Sequence, residues 1–302
     1  MLLRFNEVTK RYGRVVALNN LSVGIPSGAV GLLGPNGSGK TTLIRAMLGL
    51  TRVDHGAGQV LGLDFPRHRL DIRRLVGFVP EDECLFPRVL GVEFVVYAGE
   101  LVGMSSKDAL QRAHEVLDYV GLGEARYRKV ESFSSGMKQR LKLASAIIHD
   151  PKLLILDEPT NGMDPAGRED ILELSRDLTR NKGMSLLFSS HLLPDVEAVC
   201  DHVVVLGGGK LLVEGNIQQL KQAHRRRFEV RLKAPSDPFV QRLSAMGCST
   251  RNRDDSLIVE IPQDQSQQLL WQAAVDENVQ IRTLRIQRSS LEEVFLKAVE
   301  ET

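Results

Sequence analysis

The chain has 302 residues, 39 Lys plus Arg against 38 Asp plus Glu, and a formal net charge of +1. That balance excludes a global field steering the protein to nucleic acid or anionic lipid, so a charged partner has to be recognised locally. The length suits roughly two domains. Cys84, Cys200 and Cys248 are far apart and lack paired metal spacing, which fits a reducing cytosol and structural roles. The opening MLLRFNEVTKRYG has no long apolar core of a secretion signal. The most apolar later stretch, Gly91 to Met104, is interrupted by Glu93 and Glu100, so nothing approaches the ~20 apolar residues of a membrane helix.

Strand-like runs come first, at Leu2 to Val8, Val15 to Ile25 and Val30 to Leu33. A helix then presents Leu43, Ile44, Met47 and Leu48 on one face. Between the third strand and this helix stands GPNGSGKTT, Gly34 to Thr42. Its spacing fits the phosphate-loop pattern GxxxxGK[ST], in which Gly34, Gly37 and Gly39 let the backbone curl until successive amides point at phosphate oxygens. Asn36, Ser38 and Thr42 complete the loop. Lys40 supplies a charge for the β and γ phosphates, Thr41 a hydroxyl for magnesium, and the helix start a positive dipole end. These residues predict a site for a nucleoside triphosphate and Mg2+.

From about Val89 to Ile148 the pattern turns helical, with Leu110, His114, Leu117 and Val120 expected on one face and Leu141, Ala144 and Ile148 on another. Within it FSSGMKQR, Phe133 to Arg140, reads as a small-residue turn opening a helix Met137 to His149, with Ser134 or Ser135 as N-cap. Amides and dipole there make a second anion site, although the same pattern describes an ordinary helix start. Apolar strands return at Leu153 to Leu156, Ser185 to Phe188 and Val203 to Leu206, the rhythm of a wound α/β sheet with buried parallel strands. The run LLILDE ends in adjacent carboxylates at a strand's C-terminal end, where such sheets place ligands. Asp157 suits a contact to magnesium, directly or through its water, and Glu158 can orient and deprotonate an attacking water. A solvated turn after a strand is the plain alternative.

After the basic run HRRR, His224 to Arg227, the elements alternate: strand 227–233, helix 237–246, strands 247–251 and 256–261, helix 264–277, strand 279–286 and a final helix 290–300. Strand, helix, strand, strand, helix, strand is the split βαβ order of a small ferredoxin-like α+β domain. The basic run lacks interleaved aromatics and reads as a solvated linker, so no nucleic-acid partner is expected.

Taken in order, GPNGSGKTT, FSSGMKQR, LILDEPT, NGMDP and SSHLL resemble the motifs of ABC-type ATPases, over Met1 to about Gln222. The resemblance implies a phosphate-loop α/β domain at 1–222, with an antiparallel β subdomain and a helical subdomain at about 89–148, followed by an accessory domain at 223–302. It implies a head-to-tail dimer, most simply of two identical subunits, with two ATP molecules at the interface. Ser135, Gly136 and Met137 would then contact the γ phosphate in trans, Asp164 would align the dimer, and His191 would pin the γ phosphate and attacking water. A helix-capping or core histidine is the competing reading of His191. Tyr12, in KRYG, resembles the family's adenine-stacking aromatic, with a core tyrosine as the fallback.

Two positions depart from the common family pattern: Glu81 stands where Gln is usual, and the turn reads SSGM in place of SGGQ. Glu81 can still accept from a magnesium-bound water while adding negative charge near the γ phosphate. Both departures, and the ending SSLEEVFLKAVE, resemble the ATPase subunits of ABC-2-type drug-resistance exporters. That branch implies ATP hydrolysis coupled to transport, a separately encoded membrane permease bound around Asp82 to Met104, and a place on the cytoplasmic face of the membrane. The alternative is a soluble ABC-type ATPase working in cofactor assembly or on ribosomes or nucleic acid. A translation-type chain with two motif sets, or a repair-type chain with a long coiled coil between Lys40 and Asp157, does not match this sequence.

Overall fold

The computed structural model describes residues 1–222, 227–253, 256–262, 265–286 and 292. The chain divides between Asn216 and Ile217 into two compact units, so the helix Ile217–Gln222 goes with the second unit and not with the first. Among the described residues no helix is long and apolar enough to cross a membrane.

In the first unit a six-stranded sheet has the order Lys210–Asn216, His202–Gly207, Ala29–Leu33, Ser185–Ser189, Leu153–Asp157, Val76–Val79. All neighbours are parallel except the first pair. Every position of Ala29–Leu33 and Leu153–Asp157 is buried. A parallel strand covered on both faces needs an unbroken apolar run, which AVGLL and LLIL supply. Register sets Leu32 beside Ser189 and Ser189 beside Asp157. The chain leaving these three strands therefore brings Gly34, Glu158 and His191 to one edge of the sheet.

A four-stranded antiparallel sheet, in the order Val15–Ile25, Leu3–Tyr12, His55–Val60, Leu63–Phe65, lies in the same unit. Phe5, Leu21 and Val23 share a core cluster with Leu43, Ile44 and Met47 of the helix Lys40–Met47. Thus the helix that opens at the phosphate loop is anchored by its apolar face. The first strand extends to Tyr12, four residues past the expected Val8. Strands Val76–Val79, His55–Val60 and Lys210–Asn216 carry little apolar alternation of their own, and sheet neighbours decide them.

The helical insertion holds Gly91–Leu101, Ser106–Tyr119 and Ser135–Ile147. The buried face of the second helix is Ala109, Ala113, Val116 and Leu117, which corrects the expectation of Leu110 and His114, because Leu110 is 48% exposed. Close approach explains the rotation: a Cβ at Gly99 would stand 3.1 Å from the Cβ of Ala109, so the contact admits small side chains where a leucine would overfill it. The third helix starts two residues before the expected Met137, and Ser134 is its cap, its Oγ accepting from the Met137 amide at 3.3 Å.

The second unit has an antiparallel sheet in the order Ser249–Arg253, Ser256–Glu260, Arg227–Leu232, Ile281–Ile286, with helices Asp237–Ala245 and Gln268–Asp276. Phe228, Val230 and Val259 from the strands pack with Phe239, Leu243 and Leu270 from the helices. The first and third strands are central, as the split βαβ order requires. Residues 224–226 of the basic run, and the helix expected over 290–300 except position 292, lie outside the described residues.

Candidate functional site

The phosphate loop is shaped by close backbone approach. A Cβ at Gly34 would lie 2.5 Å from the Leu206 carbonyl oxygen, and one at Gly39 would lie 2.5 Å from that of Ala17. Gly39 also sits at φ 105°, a conformation natural to glycine, and as N-cap it brings no side chain against the first-turn amides of Lys40–Met47. Those amides stay available to an anion. The buried Lys40 Nζ donates to the Gly34 carbonyl at 2.7 Å and to Pro35 at 3.4 Å, and lies 3.9 Å from Glu158 Oε1. The loop thus holds its own cation over the place where phosphates would sit.

Thr41 Oγ1 donates to Asp157 Oδ2 at 3.3 Å, while Asp157 Oδ1 is buried with no hydrogen-bond partner. Burial, foremost, and the nearby Glu81 charge push the Asp157 carboxyl above its ordinary value, against the neighbouring Ser189 and Thr41 hydroxyls and the Lys40 charge. A lone carboxylate oxygen beside a hydroxyl is the donor set of a hard divalent cation that completes its shell with water and phosphate oxygens. No cluster of three or more His, Cys, Asp or Glu suited to a metal occurs among the described residues. Glu81 lines the same cleft, its Oε1 accepting from Asn161 Nδ2 at 3.2 Å.

Glu158 sits at φ 50°, its amide bonded to the Ser189 carbonyl at 2.9 Å. Left-handed backbone at a non-glycine residue costs about 1 to 3 kcal/mol and marks a side chain held in place by its surroundings. Here the turn aims the carboxylate into the cleft, where Oε2 is 2.8 Å from His191 Nδ1 and accepts from the His191 amide at 3.3 Å. The His191 side chain is 47% exposed and lines the cleft, which removes the core-histidine reading.

Asn36, Gly37, Ser38 and Thr42 border the same cleft, whose volume is about 340 Å³. Tyr12 does not line it; Val15 and Ala17 form that wall. The Tyr12 ring is 45% exposed, which removes the core-tyrosine fallback, and its hydroxyl donates to Thr51 Oγ1 at 3.3 Å. Ser135, Gly136, Met137 and Asp164 also lie outside the cleft of their own chain. Asp164 caps the helix Pro165–Arg180, accepting from the Gly167 amide at 2.7 Å. A Cβ at Gly136 would stand 3.7 Å from Met163 Cε, so these two turns are neighbours.

Sequence reasoning missed Asp195. It is fully buried, accepting from Thr160 Oγ1 at 2.5 Å and from Arg168 Nε at 2.6 Å. One carboxylate so joins the turn after Glu158, the helix after Asp164 and the helix after His191. Its only sequence signal, an acid in the first turn behind Pro194, equally describes a residue complementing a helix dipole.

A glycine-rich phosphate turn, an Asp–Glu pair closing the strand two places away in the sheet and a histidine after the strand between them together define a phosphate-loop nucleotide hydrolase. Residues 18–161 match the family model for the ABC transporter, and residues 215–299 match that for the ATP-binding protein DrrA1-3-like, C-terminal domain. The uncharacterized ABC transporter ATP-binding protein YxlF of Bacillus subtilis (strain 168) is 34% identical over 300 residues, covering 99% of each chain. The bacitracin transport ATP-binding protein BcrA of Bacillus licheniformis is 31% identical over 300 residues, covering 99% of this chain and 97% of that one. A dimeric structure of MJ0796, a bacterial ABC transporter cassette, superposes with a TM-score of 0.65 at 25% identity over 71% of this chain and 98% of that one. The chain belongs to the ABC transporter ATP-binding proteins: it is an ABC-type ATPase with a DrrA-like C-terminal domain.

Proposed function

We propose that two copies of this chain close head to tail around two ATP molecules and drive a separate membrane permease, in the direction of export. The first unit would be the ATP-binding domain, and the second, opening at Ile217, an accessory domain. One observation carries the reading: Lys40, Glu158 and His191 converge in one cleft, while Ser135–Met137, the second anion-facing helix start, stands outside it. A second copy is what can bring that helix start to the open side of the cleft. The transport named for BcrA and the dimer named for MJ0796 support the same arrangement.

In this reading the phosphates of ATP displace the Gly34 and Pro35 carbonyls from Lys40, and the loop amides take the remaining charge. Glu158 accepts the proton of the attacking water. His191, already 2.8 Å from that carboxylate, orients it and contacts the γ phosphate. Thr41 and Asp157, with Glu81 through water, would hold a magnesium ion, which neutralises phosphate charge when bound. Tyr12 would lie against the adenine from the rim, and Asp164 would face the partner near Met137.

The permease would dock around Asp82 to Met104, at the cytoplasmic face of the membrane. Support comes from exposed Phe86 and Tyr97, whose rings lie 5.8 Å apart, with Phe94 at 5.7 Å from Phe86, and from exposed Leu101 at the end of the helix that carries Phe94 and Tyr97. The test of the sandwich is disulfide trapping between Asn36→Cys of one subunit and Ser135→Cys of the other, both exposed positions, in a Cys84→Ser background. ATP-dependent crosslinking is expected. A yield independent of ATP in a Glu158→Gln chain would sink the head-to-tail dimer, and recovery with ribosomes in place of a membrane protein would favour the soluble alternative.

A further inference from the structure

The buried face of the helix Ser135–Ile147 contains a cation, Lys142. Its Nζ donates to the carbonyl of Pro80 at 2.6 Å, of Asp82 at 2.9 Å and of Glu81 at 3.4 Å. An ammonium has three N–H groups, and here three consecutive carbonyls receive them. Burial pushes the Lys142 ammonium below its ordinary value, with the acidic turn opposing. A buried cation keeps its place only while its donors are satisfied, so the path of the 80–82 backbone and the position of the helix are locked to each other.

The two ends of this lock have different occupants. The turn carries Glu81 into the cleft beside Asn161. The helix begins, seven residues and about 10 Å before Lys142, at the Ser134-capped turn that lies outside its own chain's cleft. We propose that Lys142 is a positioning residue coupling the two nucleotide sites of the dimer, by tying the Glu81 turn of one site to the helix whose start meets the nucleotide of the other. The inference rests on the head-to-tail reading above. A shift of either end moves the other, because a turn sliding away from the helix would leave a buried ammonium without acceptors.

The test compares the full-length protein with Lys142→Met, which keeps the length and removes the donors, and Lys142→Arg, which keeps them. Lys142→Met is expected to lower kcat by about tenfold to a hundredfold, the scale of a small misplacement remote from the chemistry. ATP affinity should stay within about twofold, the Hill coefficient should fall from about 2 to about 1, and Lys142→Arg should recover both. A folded Lys142→Met with parental kcat and Hill coefficient overturns the proposal. Should Lys142→Met melt below the assay temperature, Lys142→Gln takes its place: a lowered kcat and Hill coefficient support the coupling, and parental values overturn it. A Glu158→Gln chain with native Lys142 separates the two layers. If it forms no ATP-held dimer, the sandwich fails and the coupling with it; if it does, parental behaviour of the Lys142 variant counts against the coupling alone.

Discussion

The cleft and the start of the helix Ser135–Ile147 are both built on helix N-termini, yet in opposite ways. In the cleft Gly39 caps with no side chain, and the fixed charge comes from Lys40, buried and bonded to its own loop. At the other turn Ser134 takes up the Met137 amide, and the first-turn cation, Lys138, is paired with Glu83. One turn gathers a complete set of groups from several chain segments. The other offers backbone amides and little else, and under the proposed head-to-tail dimer it is the half that a second copy would supply.

That contrast can be broken most sharply at Glu158. Replacement by Gln is expected to lower steady-state hydrolysis by roughly 10² to 10⁴ with ATP binding intact; unchanged turnover would remove Glu158 as general base. Lys40→Ala acts on the same side of the comparison but on binding. Loss of a charge-assisted contact should weaken ATP affinity by about 1.5 to 3 kcal/mol, and calorimetry showing native affinity would contradict the role. Ser134→Ala addresses the opposite turn: a lost cap costs about 1 kcal/mol, so nucleotide binding by the single subunit should hold while the ATP-held dimer weakens, read by size exclusion in the Glu158→Gln background.

The smallest effect concerns how the insertion is seated. Tyr119, ending the helix Ser106–Tyr119, donates to Asp177 on the helix Pro165–Arg180. That hydrogen bond, with a second from Asn181, holds the Asp177 carboxyl below its ordinary 3.8. A lowered native value means a contribution to stability that is present above 3.8 and is lost as pH falls below it. Tyr119→Phe should therefore flatten the acid limb of a urea-melt series while leaving neutral-pH hydrolysis nearly unchanged. An acid limb identical to the parent's would show that Tyr119 does not set it.

The contrast also explains what could be read in advance. Lys40, Thr41, Asp157 and Glu158 follow from local chemistry: a glycine turn needs its glycines, and a strand buried on both faces needs LLIL before its acids. Tyr12 and Leu110 were less legible, because strand length and helix rotation respond to neighbours such as Thr51 and Gly99. Lys142 and Asp195 carried no usable signal, since their partners lie at Pro80 to Asp82 and at Thr160 and Arg168.

The order of motifs along the chain was enough to determine the class of chemistry and the order of the described strands and helices from Arg227 to Ile286, because backbone conformation at glycines, caps and buried strands is dictated within a few residues. Which charges meet was decided only by tertiary packing. Parallel register carries Gly34, Glu158 and His191 to one edge, and burial makes each polar atom there seek a partner far along the chain; distance in sequence has no bearing on that search.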